Sequence, residues 1–144
     1  MRKLSMAELG RKSVEEFKAS EKTPIILVLE NIRSAYNVGS VFRTSDAFLV
    51  QAIYIIGYSA KPPHKEIKKT ALGAEETVTW MYFKTTEEAI TELRKEGFNV
   101  YAAEQAEGSY KLNAIEFEAE EKIAVVFGNE VTGVEQSTIA LCDG

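Results

Sequence analysis

Four short runs of the sequence are apolar at nearly every position. They are IILVL at 25–29, AIYII at 52–56, NVYAA at 99–103 and IAVVF at 123–127. A run that is apolar on both faces is typical of a parallel strand covered by helices on both sides, whereas a half-exposed antiparallel strand alternates apolar and polar residues. The pattern therefore predicts four strands of a mostly parallel sheet.

Helical patterns alternate with these runs. The first predicted helix covers about 6–18 and follows a capping box of Ser5 and Glu8. The second has an apolar stripe of Val38, Val41, Phe42, Phe48 and Leu49. The third runs from the cap at Thr85 to Gly97, and the fourth covers about 134–141. Capping-box spacing and a closing glycine mark the ends of such helices. Alternating strands and helices predict an α/β fold with helices on both faces of the sheet.

The order of these elements predicts a short N-terminal helical extension over 1–22, followed by one α/β domain over 23–144. The segment 59–69 is predicted to be a surface loop, since Pro62 and Pro63 disfavour regular structure. A length of 144 residues is ordinary for one domain with its own core.

Composition narrows the classes of function. No apolar run approaches the ~20 residues of a membrane helix, and the N-terminus lacks a signal-peptide core. With one cysteine, Cys142, and one histidine, His64, a zinc site or a Ser/His/Asp triad is not expected. The lone cysteine fits a reducing cytoplasm. We therefore expect a cytoplasmic protein that needs neither a membrane nor a metal.

The net charge of −5 argues against a surface that coats nucleic acid broadly. Basic residues still cluster near the N-terminus and at 61–69, while acidic residues cluster at 116–121. From charge alone, we interpret each cluster as a solvated surface. A local contact with nucleic acid stays open.

The first polar turn, NIRSAYNVGSVFRTSDAF at 31–48, follows the first predicted strand. Asn37 is predicted to be the N-cap of the helix, with Gly39 in its first turn. Arg43 points away from the apolar stripe. A helix N-terminus beside an arginine can hold a phosphate. The alternative is a capped helix with an ordinary surface arginine.

The second polar turn, GNEVTG at 128–133, follows the last predicted strand. Gly128 and Gly133 permit sharp turns and a close approach of the backbone to a flat ligand. The turn lacks the lysine of a Walker loop, and the chain contains no G-x-G-x-x-G motif. Taken alone, Glu130 reads as an ordinary solvated turn residue.

Together the two turns resemble the motifs of the SpoU/TrmH-type RNA ribose methyltransferases of the SPOUT superfamily. The matching residues are Asn37, Gly39, Arg43, Thr44, Asp46, Phe127, Gly128, Asn129, Glu130 and Gly133, together with the stretch 68–80. The resemblance implies a fold with a C-terminal trefoil knot and a homodimer. It also implies transfer of a methyl group from S-adenosylmethionine to a ribose 2′-hydroxyl of tRNA or rRNA.

The resemblance further implies roles for single residues. Arg43 would be the catalytic arginine, which holds the adjacent phosphate and polarises the hydroxyl, and Asn37 would orient it or the RNA. The cofactor loops would contain Ala103, Glu104, Gly128 and Asn129, and the second of these loops would be shaped by Glu130 and Gly133. The N-terminal helix and the basic segment 61–69 would contact RNA. We expect the Arg43 guanidinium to face the loop at 128–133.

The family's third motif, a strand, a proline-containing loop and a closing helix, does not follow LCDG at 141–144. We therefore expect that the 144 residues are a shortened form of a longer methyltransferase, and that they bind S-adenosylmethionine more weakly than a longer form. Two other hypotheses stay open: a non-catalytic RNA-binding or scaffold protein with this fold, and a generic nucleotide-binding α/β domain.

Overall fold

The computed structural model describes residues 1–5, 7–10 and 12–144. Within these residues, five strands form one sheet in which every neighbouring pair is parallel. The strands are β1 Thr23–Glu30, β2 Val50–Ile56, β3 Trp80–Phe83, β4 Asn99–Ala102 and β5 Ile123–Phe127. Their order across the sheet is β3-β2-β1-β5-β4. The predicted α/β class with a parallel sheet is confirmed, while the trefoil knot stays a prediction.

The α-helices of the described residues lie on both faces of this sheet. They are α1 Val14–Ala19, α2 Ala35–Ala47, α3 Lys65–Ala71, α4 Ala74–Thr77, α5 Thr86–Lys95 and α6 Gln136–Ile139. Helices α1 to α4 pack over one face, and α5 with the segment around α6 packs over the other. None of these helices combines the length and apolar character required to span a bilayer.

The two-sided burial of the central strands explains their continuous apolar sequences. In β2, Ile53 and Ile55 pack beneath α2 and α3, while Tyr54 and Ile56 pack beneath α5. All four side chains are at most 2% exposed. Because successive side chains of a strand point to opposite faces, a strand covered on both sides must be apolar at every position.

The N-terminal segment differs from its prediction. Ser5 and Glu8 form the predicted side-chain contacts, but they close only a short 3-10 turn at Ala7–Leu9. The α-helix starts at Val14, behind a second capping box of Ser13 and Glu16. Gly10, with a φ of 60°, separates the turn from the helix. Two positions of the predicted helix, 6 and 11, lie outside the described residues.

The sequence reading also missed two elements. The second half of the predicted surface loop 59–69 begins α3, which His64 caps by accepting the Glu66 backbone N–H on its Nδ1. Ile67 of α3 is fully buried, and its apolar contacts stabilise the helix. Strand β3 was missed because none of its four residues is buried, whereas the equally short edge strand β4 contains the buried Val100.

The apolar stripe of α2 ends earlier than predicted. The helix ends at Ala47, Phe48 is 70% exposed, and Leu49 has a left-handed backbone with a φ of 53°. The last helix, α6, is also shorter than the predicted 134–141. The helix behind Thr85 is confirmed, and Gly97 follows it with a φ of 83°.

Gly39 lies at the crossing of α2 and α3. It sits in the second turn of α2 and is buried, where a β-carbon would overlap the Thr70 hydroxyl and the Ile67 carbonyl. The sequence predicted this glycine in the first turn, where a missing side chain would let a ligand or another backbone come close. It lies one residue beyond the first turn, and the backbone of α3 is what comes close.

We expect Gly39→Ala to lower the free energy of unfolding by about 1–3 kcal/mol, since an added methyl group must push two helices apart. Chemical denaturation monitored by circular dichroism measures the change. Ser40→Ala, at the exposed neighbouring position, is the matched control and should stay within ~0.5 kcal/mol of the parent chain. Equal stability of the two variants would show that the helices do not meet at Gly39.

Candidate active site

The Glu130 carboxylate joins the two polar turns. It accepts hydrogen bonds from the backbone N–H groups of Arg33 at 2.8 Å and Ser34 at 3.0 Å. It also accepts one from the Asn37 side-chain amide at 2.7 Å. These contacts dock the loop at 128–133 against the start of α2, at the carboxyl ends of the neighbouring strands β1 and β5. The expected convergence of the two turns is therefore observed.

The same contacts correct the sequence reading of the helix start. Ser34, not Asn37, is the N-cap of α2, and its hydroxyl accepts the Asn37 backbone N–H at 3.3 Å. The Glu130 carboxylate binds the backbone N–H groups of Arg33 and Ser34, which directly precede α2. An internal carboxylate therefore fills the anion site at this helix N-terminus.

Glu130 is held in its ionised form by these donors. Partial desolvation acts to raise the pKa of the Glu130 carboxyl, but the backbone N–H groups, chiefly that of Arg33, and the Asn37 amide outweigh it. The net result is a pKa below the ordinary value of a glutamate. A carboxylate that accepts several N–H donors gains stability only while it is charged.

The loop at 128–133 closes on itself. Asn129 and Gly133 exchange two backbone hydrogen bonds of 2.9 and 3.0 Å. A β-carbon at Gly128 would overlap the backbone of Gly133 and Val134, and Gly133 has a φ of 72°. The two glycines therefore allow the ends of the loop to meet, and this internal contact is the reason for their spacing.

The Asn129 side chain is fully used in holding this loop in place. Its Oδ1 accepts the backbone N–H groups of Val131 and Thr132 at 2.8 and 3.1 Å. Its Nδ2 donates to the Asn31 carbonyl at 2.9 Å and to the Tyr58 hydroxyl at 2.8 Å. Tyr58, which follows β2, was missed by the sequence reading because only the fold places it beside residue 129.

The loop after β4 packs against the same turn. Ala103 continues the β4–β5 pairing by donating its N–H to the Val126 carbonyl at 2.9 Å. The Glu104 carboxylate accepts the N–H groups of Val134 at 2.9 Å and Gln105 at 2.8 Å, and these bonds lower its pKa. The two loops assigned to the cofactor by resemblance are thus neighbours.

Arg43 lies apart from this cluster. It is six residues beyond Asn37 in α2, which corresponds to about 9 Å along the helix axis and about 120° around it. Its i−4 neighbour Gly39 faces α3, and its i+3 neighbour Asp46 accepts the Thr77 hydroxyl of α4 at 2.6 Å. The exposed Arg43 forms no hydrogen bond or ion pair with the described residues. The loop at 128–133 thus forms a hydrogen bond with Asn37 and none with the Arg43 guanidinium.

A buried carboxylate at the end of β1 escaped the sequence reading. Glu30 is 1% exposed and accepts hydrogen bonds from the Thr86 and Thr138 hydroxyls and, at 2.8 Å, from the Glu135 backbone N–H. It therefore ties β1 to the starts of α5 and α6, directly beneath the Asn31–Asn129 contact. The available signal was an acidic residue that closes an otherwise apolar strand.

The fold and the site define a class of protein: a parallel α/β domain whose polar loops gather at the carboxyl edge of the sheet. Within that class, the chain belongs to the SpoU rRNA Methylase family, which matches residues 24–144. This match includes both polar turns and all five strands except the first residue of β1, and it begins after the N-terminal extension at 1–22.

Relatives with assigned activities support the same family. The chain is 27% identical over 140 residues to the tRNA (guanosine(18)-2′-O)-methyltransferase of Thermus thermophilus, covering 95% of this chain and 69% of that protein. It is 24% identical over 136 residues to the 23S rRNA (guanosine-2′-O-)-methyltransferase RlmB of Vibrio parahaemolyticus, covering 94% and 54%.

Solved structures share the fold. The TrmH/SpoU tRNA modifying enzyme of A. aeolicus has a TM-score of 0.76 at 19% identity, over 90% of this chain and 64% of that one. The SpoU methyltransferase AviRb of Streptomyces viridochromogenes, crystallised with AdoMet, has a TM-score of 0.73 at 17% identity, over 88% and 48%. The chain thus spans about half to two thirds of these proteins.

Proposed function

We propose that this chain transfers a methyl group from S-adenosylmethionine to a ribose 2′-hydroxyl of tRNA or rRNA. The observation that carries the proposal is the docking of the loop at 128–133 onto α2 through Glu130, because it joins the two family motifs at the edge where parallel sheets bind ligands. The family match and the activities of the relatives support the same reaction.

The loops after β4 and β5 fit the proposed cofactor. The carboxylate of Glu104 and the amide of Asn129 are bonded within the protein, so they fix the loop shapes and leave contacts to the backbone. Phe127 and Val131 expose apolar surface in and beside the second loop, 40% and 74% respectively. Backbone polar groups beside apolar side chains suit an adenosine. Ala103, Gly128 and Gly133 would add little side-chain bulk.

The chemistry requires alignment and charge stabilisation. When bound, S-adenosylmethionine supplies an activated methyl group whose bond to sulfur breaks as a bond to the 2′-oxygen forms. The Arg43 guanidinium would hold a phosphate next to the target ribose and stabilise the negative charge that develops on the 2′-oxygen. A guanidinium stays protonated in proteins, so the hydroxyl proton leaves to water. Asn37 would position the RNA beside the Glu130 contact.

We also propose that the protein works on RNA as a homodimer in the cytoplasm. Support for association comes from exposed apolar side chains around the site, including Tyr58 at 66% and Val131 at 74%, since such surface marks contact sites.

Among the described residues, no three His, Cys, Asp or Glu side chains form a group that could hold a metal ion. The proposed chemistry needs none.

A second candidate is a non-catalytic RNA-binding protein with the same fold. One observation favours it: among the described residues, Arg43 forms no hydrogen bond or ion pair with the loop at 128–133. Tritiated S-adenosylmethionine, incubated with the purified chain and total tRNA or rRNA, separates the two. We expect tritium in the RNA. Cofactor binding in calorimetry without any labelled RNA would favour the second candidate.

A further inference from the structure

A cavity of about 480 Å³ lies away from the loops described above. It is bordered by the loop before α3, by α3 and α4 themselves, and by the first residue of β3. We call it the Trp80 cavity, after the indole that lines it. Its volume lies within the range of small-molecule binding sites and is sufficient for one nucleotide. The sequence predicted that the basic segment 61–69 contacts RNA, but it assigned no ligand to this cavity.

Flat side chains line this cavity. Trp80 is half-buried against the core beneath α2 and α3, so its ring is held in place. His64 and Pro63 also line the cavity, and the His64 ring is fixed by the Glu66 N–H that its Nδ1 accepts at 3.2 Å. An ordered aromatic ring beside a second flat surface is a stacking platform for a base.

Aromatic and basic side chains continue along the edge strand. Tyr82 lies two residues beyond Trp80, therefore on the same face of β3, and is 40% exposed. The Lys61 ammonium lies 3.7 Å from the centre of the Tyr82 ring. Aromatic rings interleaved with lysines are typical of surfaces that bind single-stranded nucleic acid.

Both positively and negatively charged side chains line the Trp80 cavity. Lys65 and Lys68 are exposed and form no ion pair with any residue that the structure describes, so both ammonium groups are available to a phosphate. Glu75 and Glu76 also line the cavity. A carboxylate repels phosphate but accepts hydrogen bonds from the amino group of a base. The arrangement fits a base inside and its phosphate at the lysines.

The cavity is rigidly connected to the helix that carries Arg43. Helix α3 packs on α2 at Gly39, and the Thr70 hydroxyl of α3 donates to the Tyr36 carbonyl of α2 at 2.8 Å. Arg43 follows Gly39 by one turn of α2 and precedes Asp46, whose carboxylate accepts the Thr77 hydroxyl of α4 at 2.6 Å. An RNA strand held at Arg43 would therefore be close to the helices that border the Trp80 cavity.

We propose that the Trp80 cavity binds one unpaired nucleotide of the RNA substrate outside the methylated position, with its base stacked on Trp80 and its phosphate at Lys65 and Lys68. Glu75 and Glu76 select bases that carry an exocyclic amino group, which favours guanine, cytosine and adenine over uracil. The proposal rests on the proposed function for the identity of the ligand as RNA.

Trp80 is the only tryptophan of the chain, so its fluorescence reports on the cavity without any substitution. We expect GMP, AMP and CMP to quench this fluorescence at lower concentrations than UMP, and a short single-stranded RNA to quench it at lower concentrations still. RNA binding detected by anisotropy of a labelled strand, with no change in Trp80 emission, would overturn the proposal. Absence of any RNA binding would overturn it as well.

Substitutions separate binding from folding. Lys65→Gln combined with Lys68→Gln should reduce the slope of log affinity against log salt concentration by about 0.7, because the two lysines neutralise one phosphate and each neutralised phosphate of a single strand adds about 0.7 to the slope. Lys95→Gln with Lys111→Gln, which lie outside the cavity, should leave the slope unchanged. Trp80→Leu should weaken RNA binding on the order of 10-fold. Equal slopes for the two lysine pairs would exclude phosphate binding at Lys65 and Lys68.

The two assays distinguish failure of the cavity proposal from failure of the proposed methyltransferase function. Methyl transfer to RNA without Trp80 quenching would support the proposed methyltransferase and show that the Trp80 cavity does not bind RNA. Quenching by RNA without methyl transfer would support RNA binding at the cavity and contradict the proposed methyltransferase. Both assays use the same purified chain and the same RNA.

Discussion

Replacing Arg43 with alanine should reduce methyl transfer to RNA by about 100- to 1,000-fold, the loss measured when one preorganised donor to a developing oxyanion is removed. The free energy of unfolding should change by less than ~0.5 kcal/mol, since the exposed side chain has no partner among the described residues. Tritium transfer and chemical denaturation measure the two quantities on the same preparation.

Two further variants sharpen this result. Arg43→Lys keeps the positive charge but loses the planar fork, so we expect it to recover only a small part of the activity. Lys95→Ala removes a cation from α5 and should leave transfer unchanged. If Arg43→Ala transfers methyl groups as fast as the parent chain, Arg43 is not the catalytic arginine.

Glu130→Gln should separate the two motifs. The amide offers one oxygen in place of two and presents an NH2 group to backbone N–H donors, so at least one of the three hydrogen bonds is broken. We expect methyl transfer to fall at least about 10-fold and the free energy of unfolding to fall by about 1–3 kcal/mol. Glu107→Gln, an exposed carboxylate in the loop after β4, is the control.

The pH dependence of stability tests the same contact. The pKa of Glu130 is lower in the folded chain than its ordinary value, so the ionised carboxylate stabilises the fold above the unfolded pKa of about 4.3. This stabilisation is lost as the pH falls through the folded pKa. The stability difference between the parent chain and Glu130→Gln should therefore be full at neutral pH and shrink below about pH 4. A difference that does not depend on pH would contradict the ionised contact.

The sheet was predictable where burial alone determines the sequence. Strands β1, β2 and β5 lie in the middle of the sheet, and their apolar runs are unmistakable. The edge strand β3 has two half-buried and two exposed residues and no buried one, so its pattern does not stand out from a loop. Helix α3 was hidden because two prolines precede it and only Ile67 and Ala71 are buried.

The sequence predicted where the candidate site lies but not the hydrogen bonds that hold its loops together. Parallel topology brings the ends of β1 and β5 together, so the meeting of the two motifs follows from strand order. The role of Glu130 does not, because its partner Asn37 lies 93 residues away in sequence and a carboxylate in a turn is usually solvated. The same holds for Glu30, whose partner Thr138 lies 108 residues away.

The position of the transferred methyl group tests the central claim most directly. A 2′-O-methylated ribose cannot attack the neighbouring phosphate, so RNA stays intact at that linkage in alkali. After incubation with tritiated S-adenosylmethionine and alkaline hydrolysis of the RNA, we expect the label in alkali-resistant dinucleotides. Label in mononucleotides, which marks methylation of a base, or unlabelled RNA at saturating cofactor would contradict the assignment.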